Sequence, residues 1–199
     1  MPPLTPANEA IRATNVTASE VGALLGEHPY ATPEAIWDRL MSPFALTRET
    51  NEQMENGSFM ESAILRLAEK RLGIRARLNS RTYVHKAVRL CATPDALVAG
   101  TPPGLVEIKL SGRVELWRSV PEYVEWQVRA QMACTGRQTA AVCVFVGAGL
   151  RTFLLEREMD KEERMLEAVD AFWLGHIVTG IRPDPRPVEE PVYEFGAKR

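Results

Sequence analysis

Between Lys161 and Val178 the apolar residues Met165, Val169, Phe172, Trp173 and Ile177 fall on one stripe at helical spacing, which predicts a helix with one face in a core. Ala140–Val146 is instead an unbroken apolar run of strand length and predicts a buried strand. Arg151–Glu156, beyond the turn Gly147-Ala148-Gly149, predicts its antiparallel partner, and Arg81–Leu90, which alternates loosely, predicts a further strand. Thr17–Gly26 predicts a short helix with Thr17 as cap, Glu20 completing a capping box and Gly26 as the stop. Thr32-Pro33 opens a second helix through about Met41. A third runs from about Glu49 to Leu72 and stops at Gly73; Val120-Pro121 opens a fourth through Cys134, closed by Gly136. Residues 1–10 read as a flexible lead, and the proline-dense tail from Ile181 as an extended arm, giving one domain over 1–180 and an arm over 181–199. The order is helices, strand, hairpin, helix, hairpin, helix, with no internal repeat. It predicts an α/β chain of the α+β kind, a mixed central sheet flanked by helices.

The hairpin in the middle carries the chemistry. Thr93-Pro94-Asp95 leads into Ala96-Leu97-Val98, and Leu105-Val106 leads into Glu107-Ile108-Lys109, around the turn-rich Ala99–Gly104. Side chains alternate along a strand, so Leu105, Glu107 and Lys109 share one face and Val106, Ile108 and Leu110 the other. A symmetric hairpin sets Asp95 nearly opposite Glu107, with Cβ atoms about 5 Å apart. Two bare carboxylates at that distance repel, and a divalent cation between them removes the repulsion. Oxygen donors of this kind suit Mg²⁺ or Mn²⁺ rather than zinc. A single Asp or Lys beside a turn is ordinarily just solvated; three such groups on one face, backed by an apolar face, point to a site.

Composition changes this picture little. A hydrophobic content of 45% and a charged content of 25% are ordinary for a globular domain. No run is long and apolar enough to span a membrane, and no secretory signal opens the chain, so a cytoplasmic location is expected. Cys91, Cys134 and Cys143 lack the spacing of a metal cluster and read as ordinary thiols, two of them in buried runs. The net charge of −2 does not advertise a nucleic-acid binder, but Arg66–Arg89 holds eight Lys or Arg residues and one acid, Glu69. That stretch reads equally as a phosphate-binding patch or a solvated face.

The Thr-Pro-Asp95 and Glu107-Ile108-Lys109 elements resemble the PD-(D/E)xK nuclease superfamily. Further ordered segments narrow the resemblance to the lambda-exonuclease and YqaJ-like viral recombinase family. They are Val16–Val21, His28–Pro33 followed by Trp37, Gly57-Ser58-Phe59-Met60-Glu61, and Pro121 through Gln127 to Gly136. The resemblance implies a restriction-endonuclease-like core and Mg²⁺-dependent cleavage of DNA. Its expected mode is a 5′→3′ exonuclease that acts on duplex ends and leaves a 3′ single strand for recombination. Asp95 and Glu107, with the backbone carbonyl of Ile108, would hold metal. Glu61 would lie near a second metal position, although alone it reads as a structural glutamate. Lys109 would activate water and steady the phosphate, and Gln127 would stand beside the site. Where the family often shows Gln-x-Gln, this chain has Gln127, Arg129 and Gln131, so either glutamine fits the role. Arg12 and Ser19 match positions that hold a 5′-phosphate; Ser19 reads equally as a capping-turn residue. A family aspartate about ten residues before Asp95 has no counterpart, and His85 stands near its place. The resemblance also implies a homotrimer, a single-strand annealing protein as partner, and a phage or prophage origin in a bacterial host. The alternatives are a structure-specific or restriction-like endonuclease on the same core, and a catalytically degenerate DNA-binding module.

Overall fold

Five strands form the main sheet in the order β2-β5-β6-β7-β8: Ala76–Leu78, Ala96–Val98, Gly104–Ser111, Thr139–Val146 and Gly149–Glu156. Strands β6 and β7 run parallel and every other pair antiparallel, which makes the sheet mixed, as the order of elements predicts. A smaller sheet joins β1 (Val16–Thr17), β4 (Leu90–Ala92) and β3 (Tyr83–Val84). The structure is a computed structural model that describes residues 5–42 and 52–187, the side chains of 52–58 excepted.

The alternation of β6 decides what lies on each side. Val106 and Ile108 pack with Ile64, Leu65 and Ala68 of α4 (Glu52–Leu72). Leu105 packs on the opposite face with Val124, Val128 and Met132 of α5 (Glu122–Thr135). Fully burying each such side chain stabilises the fold by about 1.5–3 kcal/mol. A third core gathers α2 (Val21–Leu24), α3 (Pro33–Met41), α5 and α6 (Met159–Phe172), with Met165, Val169 and Phe172 at 0–6% exposure. Of the predicted apolar stripe, Met165, Val169 and Phe172 are therefore core and Ile177 packs against them, whereas Trp173 is half-buried where α6 loosens into a π-helical turn over Trp173–Ile177.

Three expectations need correction. The predicted lead contains a helix, α1 (Pro6–Ala13). Thr5 caps it, and Asn8 ties it to the body by donating to the Ser80 carbonyl at 2.7 Å and accepting from the Thr82 N–H. The predicted strand Arg81–Leu90 breaks after Val84. His85 Nδ1 accepts from the N–H groups of Ala87 and Val88, which turns the chain back so that β4 pairs with β3. The helix expected over Thr17–Gly26 begins as a 3₁₀ turn, Ala18–Glu20; its Thr17–Glu20 capping box is present as expected. The expected start of the third helix near Glu49, the lead before Thr5 and the arm beyond Pro187 lie outside the described residues. From Gly180 to Pro187 the arm has no regular structure and lies along α3, where Arg182 pairs with Asp38 at 2.7 Å and the Arg186 N–H donates to Glu34.

Candidate active site

The paired register ends at Ala96 with Val106, and continued one step it sets Asp95 against Glu107, in line with the symmetric reading. The loop before β5 is braced for this. Buried Asn79 donates through Nδ2 to the Pro94 carbonyl at 2.9 Å, its N–H donates to the Asp95 carbonyl at 2.8 Å, and the Thr82 and Thr93 hydroxyls lie 2.8 Å apart. Asp95 Oδ2 accepts from the Ile108 N–H at 2.7 Å. Arg137 pins the far end of the hairpin by donating to the carbonyls of Val98 and Gly104.

Glu107 is only 2% exposed and each of its oxygens is fixed. Oε1 lies 2.6 Å from Lys109 Nζ and accepts from Gln127 Nε2 at 2.6 Å; Oε2 accepts from Gln131 Nε2 at 2.6 Å. Gln127 also accepts from Lys109 Nζ at 3.1 Å, so one amide spans the carboxylate and the ammonium. Both glutamines take part because residues four apart share a helix face. Arg129, two residues from each, points elsewhere: it donates to Glu125 and Glu158.

Two carboxyl groups, buried Glu107 and half-buried Asp95, meet one ammonium here, so the site is one positive charge short when both are ionised. Burial and the charge of Glu107 push the Asp95 carboxyl up to about 8, against the pull of Lys109 and the Ile108 N–H. Burial works against the Lys109 ammonium, yet Glu107 and Asp95 outweigh it and hold Lys109 above its ordinary value. The donors present are oxygens, Asp95, Glu107 and the Ile108 carbonyl, and they fit a hard divalent cation. Among the described residues no group of three or more His, Cys, Asp or Glu side chains could hold a metal, so water would complete any such shell.

The other expected residues stand on neighbouring elements. Glu61 stands half-buried on α4, three and four residues before Ile64 and Leu65, which pack with Val106 and Ile108 of β6. Arg12 lies in the last turn of α1, and Ser19 lies in the 3₁₀ turn with Oγ 3.2 Å from the Thr17 hydroxyl. Arg39 binds this corner together, and the sequence analysis missed it. Its guanidinium takes both oxygens of Glu20 at 2.7 Å and donates to the Arg12 and Asn15 carbonyls. One basic residue in a last helical turn carries no such signal; nor did Asn79 announce its bracing role. All three cysteines are free, and burial pushes Cys91 to about 11 and Cys143 to about 12, as ordinary core thiols.

Residues 9–138 match the YqaJ-like viral recombinase domain. No curated protein matches the chain. Among solved structures the chain is similar to LHK-Exo, an alkaline exonuclease from Laribacter hongkongensis, at 24% identity. The complex of LHK-Exo with dAMP superposes at a TM-score of 0.75 and 22% identity, over 89% of this chain and 94% of that one. A phage-related exonuclease from Haemophilus somnus superposes at 0.59 and 12% identity, over 86% and 99%. At these identities the likeness speaks to the fold, which is the restriction-endonuclease-like core.

Proposed function

This chain belongs to the YqaJ-like viral recombinase domain family, and from that premise we propose that it is a metal-dependent DNA exonuclease acting on duplex ends. The observation that carries the reading is the hairpin face on which Asp95 and Glu107 stand opposed with Lys109 beside them, one positive charge short. The chemistry supplied by a divalent cation held by Asp95, Glu107 and the Ile108 carbonyl, Mg²⁺ with Mn²⁺ as substitute, is Lewis-acid activation of water and neutralisation of phosphate charge. Everything else falls to the chain's own groups. Gln127 and Gln131 hold Glu107 rigidly without cancelling its charge. Lys109, positioned by Glu107 and Gln127, presents a fixed ammonium to the phosphate and stabilises the charge that develops on it. In this reading Glu61 serves a second cation position, and Arg12 with Ser19 receives the 5′-phosphate through a guanidinium fork and a hydroxyl. Stepwise cleavage in the 5′→3′ sense releases mononucleotides and leaves a 3′ strand; that LHK-Exo is known in complex with dAMP supports such a product. The reading extends to a partner that anneals the exposed strand, to a homotrimer, and to work in a bacterial cytoplasm on phage-type recombination. In keeping with the last, no helix among the described residues is long and apolar enough to cross a membrane.

The test is cleavage of linear duplex DNA with Mg²⁺, comparing 5′-phosphate with 5′-hydroxyl ends and including covalently closed circles. Loss of linear DNA, faster from 5′-phosphate ends and sparing closed circles, is expected. Cutting of closed circles replaces the exonuclease with an endonuclease on the same core, and DNA binding without cleavage replaces it with a degenerate binding module.

A further inference from the structure

Three rings gather at the start of α5, one helical turn before Gln127. His28 and Tyr123 have centroids 4.9 Å apart, and Tyr30 lies 6.2 Å from His28 and 6.4 Å from Tyr123. The helix positions explain why they meet here. Tyr123, Gln127 and Gln131 are spaced four apart on α5, so Tyr123 continues the stripe that reaches Glu107 and Lys109. Gly22 lets α2 approach: a Cβ there would stand 3.1 Å from Tyr123 Cα and 3.6 Å from His28 Cβ. Burial lowers His28 and the charge of Lys109 adds to it, whereas burial raises Tyr123 against the pull of Lys109.

The cluster is built differently from a core. Tyr30 is 39% exposed, so part of its ring is open to solvent, and it meets both other rings at steep angles, 80° and 74°. Its hydroxyl accepts from Arg113 Nη1 at 3.2 Å, and Arg113 follows Lys109 by four residues past the end of β6. His28 Nδ1 accepts from the N–H groups of Tyr30 and Ala31, which leaves the ring proton on Nε2 as a donor. Open aromatic face, a hydrogen-bond donor and two cations match the chemistry of a nucleotide: base, edge and phosphate.

We propose that His28, Tyr30 and Tyr123, with Arg113, form a nucleobase-stacking subsite at the mouth of the site that seats the base next to the scissile phosphate. This rests on the DNA-cleaving reading above. Stacking gives the enzyme a grip on the end that does not depend on sequence, because every base has a π-face.

The full chain is assayed with Mg²⁺ on linear duplex, using ends that are normal or carry a tetrahydrofuran abasic nucleotide at the first or second position. Wild type, Tyr30→Phe and Tyr30→Leu are compared, with Tyr123→Leu as a second ring deletion. Wild type and Tyr30→Phe should show KM raised about tenfold by one of the abasic ends, with kcat little changed. Tyr30→Leu should show the raised KM already on normal ends and no further penalty from the abasic site. Equal KM for wild type and Tyr30→Leu on normal ends, or the same abasic penalty in both, overturns the subsite while leaving the nuclease reading intact. Failure of wild type to cleave any linear duplex overturns both.

Discussion

Helix α5 borders two ionic clusters, and they settle their charges in opposite ways. On one side Arg129, 3% exposed, lies 2.7 Å from Glu125 and 2.5 Å from Glu158, and Lys161 adds a second cation 3.0 Å from Glu125. Two anions meet two cations. Burial would raise Glu125, but Arg129 and Lys161 outweigh it, and Arg129 likewise holds Glu158 below the usual carboxylate range. On the other side Asp95 and Glu107 meet Lys109 alone, and the remaining donors to Glu107 are the neutral amides of Gln127 and Gln131. Amides fix geometry without cancelling charge. A structural network closes its electrostatics, whereas this one leaves room for a cation and a phosphate.

The largest effect expected from that contrast is on Lys109. Lys109→Ala should lower cleavage roughly 10²–10³-fold or more, by analogy with the loss of a preorganised charge at a transition state. Circular dichroism and the cooperativity of melting should stay as in wild type, because Gln127 and Gln131 still hold Glu107. A variant that cleaves DNA at the wild-type rate would remove Lys109 from the chemistry. Arg129→Ala should do the reverse. It leaves Glu125 and Glu158 facing each other with only Lys161 between them. Both carboxylates reach water, so the expected cost is about 2 kcal/mol, below that of a fully buried pair. Cleavage per folded molecule, measured below the melting transition, should remain within about twofold. A large loss of activity without loss of stability would show that the two clusters are not separate.

How much of this was legible follows from the range of the forces involved. The hairpin, its two faces and the opposition of Asp95 to Glu107 rest on strand alternation and turn residues, which act locally; β5 and β6 realise them as read. The partner of Lys109 on α5 was half legible. The resemblance brought Gln127 and Gln131 forward, and helical spacing put them on one face, but only the packed structure shows that both bind Glu107 while Arg129 turns away. Asn79 and Arg39 were illegible because their bonds join segments distant in sequence, and a lone polar residue has no pattern to betray it. The strand expected over Arg81–Leu90 failed because the ring nitrogen of His85 draws in two N–H groups and reverses the chain, a contact that outweighs loose alternation.

The effect that is sharpest on sign concerns Asp95. Its folded value of about 8 lies above the ordinary carboxyl value, so between about pH 4 and 8 the folded chain keeps a proton that the unfolded chain has lost. This group's contribution to stability therefore falls as pH rises through that window, by at most about 1.4 kcal/mol per pH unit, and stops falling above 8. Asp95→Asn keeps an oxygen for the Ile108 N–H and should remove that slope, so that the variant gains stability over wild type as pH rises from 5 to 8. Glu125 and Glu158, held low, contribute the opposite trend: their stabilisation is present at neutral pH and lost in acid. Arg129→Ala should therefore flatten only the acid side of the stability profile. Cation binding at Asp95 requires the proton to leave. Mg²⁺ affinity by calorimetry should therefore rise toward tenfold per pH unit up to about 8 and then level, and Asp95→Asn should abolish the rise. Mg²⁺ affinity that does not change between pH 6 and 8 would mean that the missing positive charge is not supplied at Asp95, and that this cluster is closed in the way the Arg129 cluster is.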